Sequence, residues 1–545
     1  MDFANLKQNL KGEVDFRKEI LEKYSRDASI FQIVPQVIVY PQDSSDIEAL
    51  VQNVSALKSS QPDISITPRA AGTDMTGGPL NESIILDITK HMNHVLEVGN
   101  DYAVAEPGVY YRDFEKATLE KGLLFPSYPA SRELCALGGM VANNAGGEKS
   151  LSYGKTDKYV QELSVVLNDG KEYAFGPLSA DELNQKKSQS DFEGEIYRKT
   201  YDLLESNYGL IQAAKPDVSK NSAGYALWDV WNKKTFDLTK LFVGSQGTLG
   251  IITKIKMDLV RPKAHSRLLV IFLRTFDQLG HIVTAVNQFK PESFESYDDH
   301  TFKLALRFLP KLAKRLKGGL FSFIAKFIPE LGILVMGGIP KMVLIAEFTG
   351  DNDEMVMAKI KDVQAKLEKD FKVRTHVTKD KTEADAYWLV RRESFSLLRQ
   401  NVGHEHTAPF IDDVIVHPDQ LPDFLPALNN LIAEYKGLTY TIAGHAGDAN
   451  FHIIPLMDFS ITENRKAIPE LSEKVYDLVL RYRGSITAEH NDGLVRSQYL
   501  EKMYGPELVK LFQEVKNIFD PLNIFNPGKK VGASKEYAWS HMITK

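Results

Sequence analysis

Ile64-Ser65-Ile66-Thr67-Pro68-Arg69-Ala70-Ala71-Gly72-Thr73-Asp74-Met75-Thr76-Gly77-Gly78 reads as a short β-run that empties into a loop of small residues. Small side chains let backbone N–H groups come close to a phosphate, and successive N–H groups form a nest for an anion. The loop lacks the Gly-Lys-Ser/Thr end of a P-loop and the GxGxxG spacing of a dinucleotide fingerprint. Taken alone it fits a plain turn equally well. Two later segments change that: Leu137-Gly138-Gly139-Met140-Val141-Ala142-Asn143-Asn144-Ala145-Gly146-Gly147 and Val243-Gly244-Ser245-Gln246-Gly247-Thr248-Leu249-Gly250-Ile251-Ile252. Three such loops in the first half of one chain suit a single long ligand gripped along its length. A dinucleotide with a pyrophosphate meets that description.

The sequence around the first loop alternates strand and helix. Ile33–Pro41 and Ile84–Ile88 are β-type runs, and Asp43–Lys58 opens on Asp and Ser before Ile47, Leu50, Val51 and Val54 fall on one helical face. Residues 1–24 mix charge with spaced Leu and Ile and predict a helix. With 545 residues the chain is too long for one core, so two or three domains are expected. The fold class predicted is α+β. A hydrophobic content of 43% and a charged content of 25% are ordinary for a soluble globular protein. A net charge of -6, with no basic tail and no basic-aromatic pattern, gives no sign of a nucleic-acid partner, and none is expected. Cys135 is the only cysteine, which excludes an intrachain disulfide framework and a cysteine-ligated iron–sulfur cluster built from these residues. That usage fits a reducing compartment. The stretch Met1–Lys7 has no apolar core of a secretory signal, so a cytoplasmic location is expected.

Residues 302–343 stand apart. Bulky apolar residues from Phe302 to Met336 are interleaved with Lys311, Lys314, Arg315, Lys317 and Lys326. No charge-free window approaches the ~18 residues of a spanning helix. The stretch fits a basic amphipathic segment on an anionic membrane surface, which would place the protein peripherally on the inner face of the cytoplasmic membrane. It fits equally a helical excursion packed on its own domain or an oligomer interface.

The second half carries Gly444-His445-Ala446-Gly447-Asp448-Ala449-Asn450-Phe451-His452 and Thr487-Ala488-Glu489-His490-Asn491-Asp492-Gly493. Of 13 histidines in the chain, three fall in these two stretches with a glutamate and an asparagine. Two neutral imidazoles and a carboxylate make a site for a divalent metal such as zinc, and a further histidine beside the glutamate could act as a general base. Phe451–Leu456 reads as an apolar strand after a glycine-bearing turn. On it Asn450 and His452 share a face.

Several of these segments together carry a resemblance. Pro68–Asp74, Pro129-Ala130-Ser131 with Gly138-Gly139, Ala142–Gly147 and Gln246–Gly250 resemble the FAD-binding loops of the vanillyl-alcohol oxidase type of flavoprotein. The two histidine stretches and Phe519–Lys529 resemble the D-2-hydroxyacid dehydrogenase branch, which includes D-lactate dehydrogenases and the glycolate oxidase flavin subunit. The resemblance runs from about residue 24 to about residue 530, with the motifs in the family's order. It implies an FAD-binding domain over 1–261, a substrate domain with an antiparallel sheet over 262–509, and a C-terminal segment, 510–545, that returns to the flavin.

The resemblance also implies roles for single residues. Pro68, Arg69, Ala70, Ala71, Gly72, Thr73, Asp74, Ser131, Gly138, Gly139, Ala142, Asn143, Gly146, Gln246, Gly247, Thr248, Gly250, Ile251 and Asn526 would hold a noncovalent FAD. His445, His452 and Glu489 would bind a divalent metal, zinc first and manganese or iron as alternatives. His490 would remove the substrate's hydroxyl proton, Arg391 would anchor its carboxylate with Arg392 in reserve, and Asn450 would orient substrate or flavin. The expected activity is oxidation of a small D-2-hydroxy acid, D-lactate first, with glycolate or D-2-hydroxyglutarate as alternatives. Ile411 stands where relatives acting on dicarboxylates carry Lys, which favours a monocarboxylate. Electrons would pass to a quinone, a cytochrome or a separate iron–sulfur protein, since no cysteine-rich region follows the last motif. Readings of another class are a lipid enzyme like alkylglycerone-phosphate synthase and a non-catalytic flavin subunit. The chain departs from the family's usual residues at Ala70 and Ala71 (Gly), Gln246 (Glu), Ala449 (Gly) and Asn491-Asp492 (Gly-Ile).

Overall fold

The computed structural model describes residues 10–307, 339–401, 404–435 and 438–544. The first sheet has the order β1-β2-β4-β3, from β1 (Glu13–Asp15), β2 (Val37–Tyr40), β3 (Ile66–Arg69) and β4 (Ile84–Asp87). β4 runs parallel to both β2 and β3, while β1 runs antiparallel to β2. The helix Ser44–Leu57 carries the chain from β2 to β3, which lie on either side of β4. Asp43 caps that helix by accepting from the amide of Asp46, and Ile47, Leu50, Val51 and Val54 bury its apolar stripe.

The helix expected over 1–24 is shorter than its pattern suggested. Only Lys18–Tyr24 is helical, and Glu13–Asp15 is a strand; residues 1–9 lie outside the described residues. The reason is the buried carboxylate of Asp46, which accepts the amides of Lys11, Gly12 and Gln42 at 2.8 Å each. It holds the chain extended beside β2.

A second, antiparallel sheet has the order β5-β6-β11-β7-β8, from β5 (Val95–Val98), β6 (Tyr102–Ala105), β7 (Val160–Val166), β8 (Glu172–Phe175) and β11 (Ile251–Asp258). β9 (Pro177–Leu178) and β10 (Phe236–Asp237) form a small separate ribbon. After Asp258 the chain enters a third sheet. Its strands are β12 (His265–Leu273), β13 (Ser293–Asp298), β14 (Met342–Gly350), β15 (Arg374–Val377), β16 (His406–Thr407), β17 (Val414–Ile415), β18 (Thr439–His445) and β19 (Asn450–Met457). Seven lie in the order β15-β12-β14-β13-β18-β19-β16, with β17 also on β19, and every pairing is antiparallel. The α+β, two-domain flavoprotein fold predicted from the sequence is the fold observed.

The helix Leu500–Phe519, kinked at Gly505, carries the chain back. Its Leu508, Phe512, Val515 and Phe519 are buried in the core of the second sheet, and Ile524 and Phe525 in that of the first. The amphipathic stretch begins within the helix Asp299–Arg307 and ends in β14, and residues 308–338 of it lie outside the described residues. No helix among the described residues is long and apolar enough to cross a membrane.

Candidate active site

A cavity of about 1190 Å³ runs between the small-residue loops and the end of the third sheet. Of the cradle residues expected from the sequence, Pro68, Ala70, Ala71, Gly72, Thr73, Asp74, Ser131, Gly138, Gly139, Ala142, Asn143, Gly146, Gln246, Gly247 and Gly250 line it. A cavity of this size, walled mainly by backbone and small side chains, fits a dinucleotide. Two glycines are required by close approach. A Cβ on Gly138 would come within 2.7 Å of Pro107 Cβ, and one on Gly146 within 2.8 Å of Glu489 Oε1.

Four expected cradle residues stand behind the wall and hold it in place. The Arg69 guanidinium donates to the carbonyls of Tyr24 and Arg26 at 3.0 and 2.7 Å. Thr248 donates to the Ser245 carbonyl, and Ile251 is fully buried at the start of β11. Asn526 accepts from Thr67 Oγ1 at 3.0 Å and donates to the carbonyls of Gly78 and Gln246 at 3.0 and 2.7 Å, tying two loops to one strand. Gln246 shows why an amide stands where a carboxylate is usual. Its Oε1 accepts from the Gly493 amide at 2.9 Å while its Nε2 donates to Asn143 Oδ1 at 3.2 Å, and a carboxylate could not donate. Asn143 in turn donates to Asp74 Oδ1 at 3.1 Å, so one chain of hydrogen bonds links the three small-residue loops to the Glu489-His490 segment.

The far end of the cavity is built from charge. His445 closes β18, and the turn through Ala446–Asp448 returns the chain into β19, where Ala443 lies opposite His452. Ala449 sits in the left-handed region at φ 56°, the conformation that explains the family's usual glycine there. His445, His452, Glu489 and His490 all line the cavity. His445 Nδ1 is 2.6 Å from Glu295 Oε1, and its Nε2 is 3.2 Å from Glu489 Oε2. His490 Nδ1 is 2.6 Å from Asp412 Oδ2. The ring of His452 stacks on His490 at 4.8 Å and meets His445 edge-on at 5.2 Å. Its Nδ1 has no hydrogen-bond partner among the described residues.

Asp413, Glu295, Lys220 and Asp412 were not identified as site residues from the sequence. Asp413 Oδ2 accepts four donors: Thr487 Oγ1 and the amides of Ala488, Glu489 and His490, at 2.7 to 2.9 Å. It is the peg around which the Glu489-His490 segment is wound. Asn450, expected to orient substrate or flavin, does not line the cavity; it donates to Asp413 Oδ1 at 3.1 Å and to the Val414 carbonyl. Lys220, from the chain ahead of the third sheet, places its ammonium 2.5 Å from Glu489 Oε1 and 3.2 Å from Asp448 Oδ2. Adjacent acids amid apolar residues, Asp412-Asp413 between Ile411 and Val414, were the available sequence signal. Lys220 had none nearby.

Charge follows geometry. Burial opposes ionisation of Glu489, yet His445 and Lys220 hold its carboxyl well below the usual range. Burial also opposes the charged form of His445 and His490, but Glu295 and Glu489 bring His445 to about 9, and Asp413 and Asp412 bring His490 to about 9. Burial and the two neighbouring histidines push His452 well below its ordinary value. A cation held among these groups would oppose the extra proton on His490.

Donor atoms of Asp413, His452, Glu489 and His490 lie within 4.8 Å of one another. Asp413 Oδ2 is already saturated, however, and Asp412 takes the Nδ1 proton of His490. Of the expected metal ligands, His452 and Glu489 belong to that group and His445 does not, although its Nε2 is 3.2 Å from Glu489 Oε2 and Glu295 stands behind its Nδ1. Arg391 and Arg392, on the helix Lys381–Asn401, also line the cavity. Arg391 Nε donates to Glu295 Oε2 at 3.1 Å, and Arg392 forks onto Glu148, with Nε at 2.9 Å. Ile411 is buried in the core of the third sheet.

Residues 35–176 match the family described as FAD binding domain, and residues 262–530 the family described as FAD linked oxidases, C-terminal domain. A D-2-hydroxyglutarate dehydrogenase of Pseudomonas putida is 28% identical over 526 residues, covering 94% of this chain and 50% of that protein. The glycolate oxidase subunit GlcD of Bacillus subtilis is 27% identical, covering 93% of this chain and 91% of that one. A D-lactate dehydrogenase of Archaeoglobus fulgidus is 26% identical, covering 91% of each. The chain thus spans about half the length of the first of these relatives and nearly all of the other two. Among solved structures, an alkyldihydroxyacetonephosphate synthase superposes with a TM-score of 0.67 at 17% identity, covering 97% of this chain and 86% of that one. p-Cresol methylhydroxylase superposes with a TM-score of 0.68 at 16% identity, covering 97% and 95%. These structures speak to the fold alone. The chain belongs to the FAD-linked oxidase family.

Proposed function

We propose that this protein oxidises a small D-2-hydroxy acid, D-lactate first, to the 2-oxo acid. The observation that carries the reading is one cavity with two unlike ends: a small-residue cradle sized for FAD, and a cluster of His445, His452, Glu489 and His490 facing it. FAD supplies the two-electron acceptor, which no side chain of the cluster could be. A divalent cation on His445, His452 and Glu489 would make the substrate hydroxyl more acidic.

The protein's own groups do the rest. Arg391 takes the substrate carboxylate, where a guanidinium offers two parallel donors. Asp412 accepts the Nδ1 proton of His490, which leaves Nε2 to receive the hydroxyl proton. Asp413, itself held by Asn450, fixes the backbone that carries Glu489 and His490. The electron acceptor proposed is a quinone, a cytochrome or a separate iron–sulfur protein.

A second reading, D-2-hydroxyglutarate, is favoured by Arg392, a further guanidinium on the cavity wall one residue from Arg391, and by the name of the Pseudomonas putida relative. Ile411 favours the monocarboxylate. Anaerobic mixing of the FAD-loaded protein with D-lactate, D-2-hydroxyglutarate and glycolate tests both. Bleaching by D-lactate at the lowest concentration supports the first reading, and bleaching by D-2-hydroxyglutarate alone supports the second. A flavin that no 2-hydroxy acid reduces contradicts both.

A further inference from the structure

We infer that Glu295 is a positioning residue that couples the hold on the substrate carboxylate to the cation site; this rests on the reading just proposed. Glu295 lies in β13 and is 1% exposed. Its Oε1 meets His445 Nδ1 at 2.6 Å, and its Oε2 accepts from Arg391 Nε at 3.1 Å, with Arg391 Nη2 also at 3.1 Å. One buried carboxylate therefore stands between two cavity-lining side chains that have different tasks.

Each contact has a chemical consequence. An ionised carboxylate only accepts hydrogen bonds, so a neutral His445 paired with it keeps its proton on Nδ1. The lone pair is then on Nε2, the atom 3.2 Å from Glu489 Oε2, where a cation would be held. The other oxygen fixes the plane of the Arg391 guanidinium. A shift of Glu295 would move ligand and anchor together.

Glutamine is the informative replacement because it has one oxygen and one NH2 group for two partners that both donate. With its oxygen toward Arg391, its NH2 meets Nδ1 and drives the imidazole proton to Nε2. With its oxygen toward His445, its NH2 faces the guanidinium, donor against donor. E295Q can satisfy one partner at a time, whereas E295D keeps acceptor chemistry toward both at shorter reach.

The test uses FAD-loaded protein, with zinc affinity measured by chelator competition and steady-state kinetics on whichever of D-lactate or D-2-hydroxyglutarate bleaches the flavin. In E295Q, zinc affinity is expected to fall roughly tenfold or more and KM to rise by a similar factor, with FAD content retained. E295D should recover part of both. R391M should raise KM and leave zinc affinity alone. An E295Q protein with unaltered zinc affinity or unaltered KM overturns the coupling. Should E295Q not fold, E295D is read the same way: a loss in both measurements supports the coupling, and a loss in neither or in one overturns it. Wild-type protein that takes no zinc yet is bleached overturns the cation half of the inference and leaves the oxidation reading standing. A flavin indifferent to every 2-hydroxy acid overturns the reading on which it rests.

Discussion

The two ends of the cavity are built on opposite principles. The cradle offers backbone and small side chains, and its polar groups, such as Asn526 and Gln246, mostly tie loop to loop. The far end packs Glu295, Asp412, Asp413, Glu489, Lys220 and Arg496 into the interior, each paired with an opposite charge or a donor. A site made of backbone tolerates a change of side chain as long as nothing grows into the space. A site made of buried charges tolerates little, because removing one partner leaves the other desolvated and unpaired.

The largest effects should come from the charged end. H490N and E489Q are expected to cut the rate of flavin reduction by roughly two to four orders of magnitude while FAD stays bound, measured by anaerobic stopped flow. If either also empties the cradle of flavin, the two ends are not separable. Next, D413A strands five donors and takes away one of the two acids beside Arg496, and should lower stability by about 3 kcal/mol or more. The Asp413 carboxyl, although buried, is held below its ordinary value by His490 and His452. Its stabilising contribution is therefore complete above the unfolded value and is lost as pH falls through the folded one. Unfolding midpoints of D413N should depend less on pH than those of the wild type below about pH 4.

In the cradle, G138V should lose FAD, since the added bulk meets Pro107. An absorbance ratio of flavin to protein near the wild-type value would show that this wall yields. The smallest effect is expected from A70G with A71G, which restore the family's usual residues. FAD affinity should change by less than about threefold, because Ala already lets the backbone come close.

Local patterns carried much of this into view. The cradle was legible because three small-residue loops recur in the first half and together resemble known FAD-binding loops, and the cluster because histidines and an acid were concentrated in two stretches. The Ser44–Leu57 helix was legible down to its Asp43 cap. What escaped notice depends on long-range pairing. Asp46 reaches back to Lys11 and Gly12 and turns an expected helix into β1. Lys220 reaches Glu489 across 269 positions, and Glu295 reaches His445 across 150. Asp413 was not singled out in the sequence and proves to be a peg for backbone amides. Arg69, Thr248 and Asn526 lie in the right loops, but sequence does not say which side of a wall a side chain takes.

The most direct test of the whole account is the visible spectrum of the purified, FAD-loaded protein before and after anaerobic addition of each enantiomer of lactate and of 2-hydroxyglutarate. The account predicts a flavin band that bleaches with a D-enantiomer and is unchanged by the matching L-enantiomer. A flavin band that no 2-hydroxy acid bleaches would contradict it.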